Sequence, residues 1–431
     1  MTIEVIVLEM YFSTGVGSPD DSDSRERSEI QLDFKNPNSL LSKILIPRPV
    51  ESQNLQSCRT LFESHFQSLS KTFQVPKQAQ LFHNFKPPPI FQPIQVLNLT
   101  TWKYESHTFQ DITPYGTKTF TNQIFTHDPT APLRLILAAH IDSKYFPPGD
   151  PSEGFVGATD SAAPVAIILQ IVKSISPLLD FQLEQFLNSA DQIGQLKERI
   201  TLQVVLFDGE EAFKDWTHTD SIYGARALAK KWAEPIRTPN ALQKQTNQLD
   251  NIQAFVLFDL LGARSPSIHN FFEHQTGWMY EAWQEAELRL SKLGVISLTD
   301  IKTDSFFKDQ VGSNQVRFFG GVEDDHIPFL AAKVPILHLI SAPFPSVWHE
   351  ITDNVNALDY STILNWVKIG EVALIEYFGL QDFLESNLIK RHDELNGDVG
   401  LQTSKTQMRM SLSWIRLRKL GMIGNKKPLK V

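Results

Sequence analysis

Glu210 and Glu211 stand side by side directly after a run of apolar residues, in Asp208-Gly209-Glu210-Glu211. Similar placements recur along the chain. Ala139-His140-Ile141-Asp142-Ser143 ends a second run, Asp259 lies near the end of a third, and Phe344-Pro345-Ser346-Val347-Trp348-His349 follows a fourth. Gly157-Ala158-Thr159-Asp160-Ser161 lies in a loop between two of these runs. Asp, Glu and His without cysteine suit zinc in a catalytic site of nitrogen and oxygen ligands. Adjacent glutamates offer two roles at one place: one carboxylate binds the metal while the other stays free as a general acid/base. Each residue alone has a plainer reading. Asp160 precedes Ser161-Ala162-Ala163, where helix capping would account for it. Asp208 suits a turn, and His140 or His338 alone reads as a hydrogen-bonded core histidine. It is the joint pattern that points to a site.

The four runs are 133–139 (LRLILAA), 201–207 (TLQVVLF), 254–261 (AFVLFDLL) and 334–340 (VPILHLI). Their length and aliphatic content predict strands buried on both faces. Helical stretches are predicted between and after them, at 162–175, 221–232, 276–293 and 364–378. Strands alternating with helices imply an α/β fold of three layers, a central mixed and mostly parallel sheet flanked by helices. In such a sheet, sites form at the carboxyl ends of the strands, where the His and carboxylates fall. An earlier helix is expected at 58–73, from Leu61, Phe62, Phe66 and Leu69 at 3–4 spacing. Pro76, Pro87, Pro88, Pro89 and Pro93 predict an extended insertion over about 75–95. The expected organisation is a flexible leader at 1–40, one catalytic domain at 41–385 and a basic tail at 386–431. From Gly400 onward that tail holds eight Lys or Arg and no acid.

Hydrophobic residues make up 42% of the 431 and charged residues 21%, which excludes wholesale disorder. The net charge of −9 argues against a general nucleic-acid binder. The single cysteine, Cys58, excludes intrachain disulfides and cysteine-based zinc sites. No apolar run approaches the roughly 18 residues a membrane span needs. The start, MTIEVIVLEMYF, carries Glu4 and Glu9 and lacks a basic region, so it reads poorly as a signal peptide. The tripeptide Asn98-Leu99-Thr100 is a glycosylation sequon, relevant only to a secreted chain. No stretch stands out as an interface, and a monomer is expected.

HIDSKYF at 140–146, GATDSAAP at 157–164, FDGEEAFKDW at 207–216 and DSIYGARALA at 220–229 resemble glutaminyl-peptide cyclotransferases. So do LFDLLGA at 257–263, EDDHIPFL at 323–330 and HLISAPFPSVWH at 338–349. The resemblance spans about 101–380, with the motifs in the family's order. It implies the zinc aminopeptidase-like α/β fold of the M28 clan. It also implies a single zinc held by Asp160, Glu211 and His349, with Glu210 as general acid/base. Asp259 and Asp324 match two carboxylates that form a hydrogen-bond network with that glutamate, and Trp216, Phe344 and Trp348 match the aromatic wall of the substrate pocket. Family habit points to the secretory pathway. The disulfide of the secreted animal members has no counterpart, since Ala139 and Val165 stand at its positions.

The implied reaction converts the N-terminal glutamine of a peptide or protein, and more slowly glutamate, to pyroglutamate with release of ammonia. A glutamate that shuttles the proton is best served by a pKa nearer neutrality than its free value. Repulsion from an Asp259–Asp324 pair would raise it. The main alternative is a two-zinc aminopeptidase of the same clan. There Asp160 would bridge, His140 and Asp259 would hold the second zinc, and Glu210 would activate water. DSKYF after His140, Trp216, DDHIPF and PFPSVWH favour the cyclase. A catalytically dead binding module would have lost a ligand or Glu210, and neither is lost. No GxSxG elbow supports a serine hydrolase.

Overall fold

The computed structural model describes residues 32–74, 98–189, 198–236, 246–298, 303–309 and 321–381. The leader up to 31, the proline-rich insertion and the basic tail lie outside the described residues. In chain order the elements begin with α1 (Leu40–Ile44), α2 (Gln53–Leu69) and the short pair β1 (Thr72–Gln74) and β2 (Asn98–Thr100). Next come β3 (Lys103–Thr113), β4 (Gly116–Thr126), β5 (Leu133–His140), α3 (Ala163–Asn188) and β6 (Ile200–Phe207). Then follow α4 (Tyr223–Trp232), β7 (Ile252–Asp259), α5 (Glu273–Lys292), α6 (Ile327–Ala331), β8 (Ile336–Ile340) and α7 (Tyr360–Phe378).

Six strands form one sheet in the order β3-β4-β6-β5-β7-β8. The four on the β6 to β8 side run parallel, and the β3–β4 hairpin joins them antiparallel through β4 and β6. The sheet is therefore mixed and mostly parallel, as its apolar runs imply. Successive side chains of a strand point to opposite faces, and β5 shows both faces covered. Leu135, Leu137 and Ala139 join one core with α2, α3, α5 and α7. Ile136 and Ala138 join a second with Leu228 and Trp232 of α4 and Phe329 of α6. Helix, sheet and helix layers result.

The sequence reading missed the hairpin. Its strands, KYESHTFQDIT and GTKTFTNQIFT, are mostly polar and lack the aliphatic run of a doubly buried strand. Other boundaries moved. α2 starts at Gln53 because the Ser52 hydroxyl caps it by accepting from the Leu55 N–H, at 3.1 Å, and ends before Ser70. α3 continues through Pro177 to Asn188, thirteen residues beyond the expected end. With its preceding turn, α3 is long and apolar enough to cross a membrane by composition, yet most of it is buried in the domain. It packs against α7 and the sheet, which accounts for that apolarity. The packed region already includes Leu32, 1% exposed, and Phe34, whose ring meets Tyr360 edge-on.

Glu287 of α5 is fully buried. It accepts from the Ser305 hydroxyl and from the Phe306 N–H, at 2.6 Å. Burial pushes its carboxyl up to about 7 from an ordinary 4.5. The folded value lies above the unfolded one. Its stabilising contribution is therefore complete below about pH 4.5 and is lost as pH rises through about 7, by on the order of 3 kcal/mol. Glu287→Gln should keep both contacts and remove this slope. Its melting temperature should exceed that of the unsubstituted chain by a few degrees at about pH 8 and by little at about pH 5. Parallel melting-temperature curves against pH for the two proteins would refute this role.

Candidate active site

The carboxyl ends of β5, β6, β7 and β8 open on one edge of the sheet. His140 is the last residue of β5, and Glu210 and Glu211 follow β6. Asp259 ends β7, and His349 lies in the segment after β8. Asp160 occupies a kinked turn ahead of α3. The chain passes so closely there that a Cβ on Gly157, at φ 60°, would lie 2.0 Å from the Asp160 carbonyl oxygen. Asp160 is not a helix cap: Ala162 is the N-cap of α3, and no side chain caps that end. Its carboxylate instead reaches His140 Nε2, at 2.9 Å, and His349 Nε2, at 3.6 Å.

Glu211 lies 3.3 Å from His349 Nε2 through one oxygen, which also meets Lys144 Nζ at 3.4 Å. Its other oxygen is buried without a hydrogen-bond partner. One ligand atom from each of Asp160, Glu211 and His349 lies within 4.8 Å of the others. This is an oxygen, oxygen and nitrogen set that fits a zinc ion with a position left open. The orphaned Glu211 oxygen fits it as well, since a buried charge calls for a cation. Burial opposes ionisation of Glu211, but His349 and Lys144 overcome it and hold the carboxyl at about 2. Burial, and then the Glu211 charge, push Asp160 up to about 7, a crowding that a bound cation would relieve. His140, Asp160 and Asp259 also converge within 4.8 Å, the second set of the two-metal alternative.

Glu210 is buried, and no side-chain hydrogen bond reaches it among the described residues. Burial raises its pKa well above the ordinary range, Glu211, Asp324 and Asp325 add to the rise, and His140 opposes it. Asp324 thus acts on Glu210 through space. Asp259 and Asp324 are not bonded to each other or to Glu210. Asp259 accepts from the Ser161 hydroxyl, and Asp324 lies 2.7 Å from His338 Nε2. Trp348 stacks on the His349 ring at 4.0 Å, and Phe344 meets Trp348 edge-on at 5.0 Å. Trp216 is separately tethered, its indole N–H donating to Glu323 at 2.9 Å. Trp216 and Trp348 are both exposed, and Trp348 leaves an aromatic face open to solvent beside His349.

The profile of peptidase family M28 matches residues 122–372. A curated relative from Bos taurus, a glutaminyl-peptide cyclotransferase, is 44% identical over 292 residues, covering 68% of this chain and 75% of its own. The chain belongs to the glutaminyl-peptide cyclotransferase family. It is accordingly an enzyme of the acyltransferase type. The solved glutaminyl cyclase of Macrostomum lignano aligns with a TM-score of 0.60 at 29% identity, covering 86% of this chain and 97% of that one. A Zn-dependent exopeptidase from Parabacteroides distasonis shares the fold, with a TM-score of 0.52 at 16% identity over 81% of this chain and 97% of its own.

Several buried groups that support this cyclotransferase site were not singled out from sequence. Asp220 accepts from the N–H groups of Phe213, Lys214 and Asp215, at 2.9, 2.9 and 3.1 Å, and so shapes the loop that carries Trp216. Arg48 donates to the carbonyls of Val156, at 2.9 Å, and Gly157, at 3.3 Å, behind the Asp160 turn. Asp353 accepts from the Thr159 N–H at 2.9 Å on the same turn. Ser161 and His338 complete the surroundings of Asp259 and Asp324. His338, read from sequence as a hydrogen-bonded core histidine, is one: it is buried and bonded to Asp324. Asp208 is structural: it is buried against the Arg59 guanidinium and accepts from the Thr121 N–H at 2.6 Å.

Proposed function

We propose that this chain cyclises N-terminal glutamine, and more slowly glutamate, of peptides and proteins to pyroglutamate, releasing ammonia from glutamine. Asp160, Glu211 and His349 would hold one zinc per chain. The observation that carries the reading is the division of labour between adjacent glutamates: the Glu211 carboxylate turns to His349, while no side-chain hydrogen bond reaches Glu210 among the described residues. Zinc bound there would supply Lewis acidity at the substrate's side-chain carbonyl. The substrate's own α-amine is the nucleophile, so no water is activated. As the amine nitrogen bonds to Cδ and the Cδ–amide nitrogen bond breaks, Glu210 takes a proton from the amine and delivers it to the departing ammonia. The His338-bonded Asp324, and Asp259 with Ser161, would steady the charge around Glu210. Phe344, Trp348 and Trp216 would shed water from a small side chain and hold it near the attacking amine.

A monomer acting on a peptide or protein N-terminus is part of the proposal, with the catalytic residues in one α/β domain. The two-zinc aminopeptidase keeps one supporting observation, the convergence of His140, Asp160 and Asp259. Incubation with a Gln-initiated peptide and mass spectrometry separates the readings. Loss of one ammonia at unchanged chain length, abolished by a chelator and restored by zinc, is the expected result. Loss of a whole N-terminal residue would mean aminopeptidase.

A further inference from the structure

Asp142 is fully buried two residues beyond β5, and neither the acid/base chemistry nor the metal set uses it. Its carboxylate accepts three consecutive backbone N–H groups. Oδ1 accepts from Gly209, at 2.9 Å, and Glu210, at 3.2 Å, and Oδ2 accepts from Glu211, at 3.2 Å. Among the described residues no Lys or Arg lies in ion-pair range of Asp142, and His140 Nδ1, at 3.6 Å, is the group nearest to that role. Successive amides turned inward make an anion cradle, and bonds to an ionised acceptor are the stronger kind. Here the anion belongs to the chain itself.

The topology explains the cradle. β5 and β6 are parallel neighbours paired up to His140 and Phe207, and the Ile141 N–H donates to the Phe207 carbonyl at 2.8 Å. Both chains leave the sheet together, which puts Asp142 under the loop at 208–211. Gly209 adopts φ 76°, and a Cβ there would meet the Phe120 ring at 2.4 Å, so the loop turns its amides toward Asp142 at a glycine. Three bonded amides fix three successive peptide planes. From this fixed backbone the Glu211 carboxylate faces His349 at 3.3 Å.

We propose that Asp142 is a positioning residue for the Glu210–Glu211 pair, holding Glu211 ready for the metal and Glu210 ready for proton transfer before either ligand arrives. The inference rests on the reading of Glu211 as a zinc ligand and Glu210 as the acid/base. Asp142→Asn is the informative change. Its Oδ1 keeps the bonds from Gly209 and Glu210, but its amide NH2 then faces the Glu211 N–H, donor against donor. Zinc affinity, measured by competition with a chromophoric chelator, should fall about 10- to 100-fold, as for other residues that orient metal ligands. At saturating zinc, kcat should fall with KM little changed.

Two further measurements keep the proposal exposed. In the unsubstituted, zinc-free protein, the amides of Gly209, Glu210 and Glu211 should already resist hydrogen exchange. Free exchange there would overturn the proposal even if Asp142→Asn does not fold. In the Glu211→Gln background, adding Asp142→Asn should cost little more zinc affinity, because the effect runs through Glu211. A full additional loss, or a folded Asp142→Asn with unchanged zinc affinity and kcat, would also overturn it. If Glu211→Gln alone leaves zinc affinity untouched, the zinc assignment fails instead. The amide protection still tests Asp142 in that case.

Discussion

Glu210→Gln should lower kcat by about 10²- to 10⁴-fold, the usual share of a positioned general acid/base, while the protein stays folded and zinc stays bound. The substitution is nearly isosteric at a side chain that makes no hydrogen bond to the described residues, so the loss should be chemical and not structural. KM should change little, because proton transfer is needed in the transition state and not in binding. Burial and three neighbouring carboxylates raise the Glu210 carboxyl well above its ordinary range. The limb of the pH–rate profile that Glu210 governs should therefore disappear from the residual activity. A variant with near-full activity, or one with an unaltered profile, would take Glu210 out of the mechanism.

Removing the metal is expected to be at least as damaging. Dialysis against a chelator, or His349→Ala, should reduce turnover by about 10³-fold or more, since Lewis acidity at a carbonyl supplies several kcal/mol. His349 has the uncommon left-handed backbone, φ 58°, and a ring backed by Trp348 at 4.0 Å. Its Nε2 faces Asp160 and Glu211, at 3.6 and 3.3 Å. Elemental analysis of the purified chain should find one zinc. Zinc should restore the chelated protein but not His349→Ala. Two zinc ions per chain would bring His140 and Asp259 into the ligand set and revive the aminopeptidase reading. Full activity without metal would end both.

Four of the motif-bearing residues were legible in sequence because they lie at or just past a strand end, and a strand buried on both faces writes itself as an apolar run. His140, Glu210, Glu211 and Asp259 could be read as neighbours on one sheet edge for that reason. The β3–β4 hairpin escaped because its strands are mostly polar, with a few scattered aromatic and aliphatic residues and no aliphatic run. α3 was cut short because its continuation passes Pro177, a residue that ordinarily ends a helix. Asp324 and His338 were legible as residues but not as a pair, since fourteen positions and a strand entry separate them.

The linear order of residues determined the α/β class, the family resemblance and the identity of the carboxylates, histidines and aromatics that could do chemistry. Only the tertiary structure decided how they divide the work. Asp142 meets amides 67 to 69 positions away, and Ser161 bonds Asp259 across 98. Such contacts depend on which strands lie side by side, and in this sheet β5 lies between β6, the next strand in the chain, and β7, the strand after that. A side chain's type is local information. Its direction, burial and partner are set by strand order and by the backbone turns at Gly157 and Gly209, where the chain approaches its own atoms too closely for any other residue.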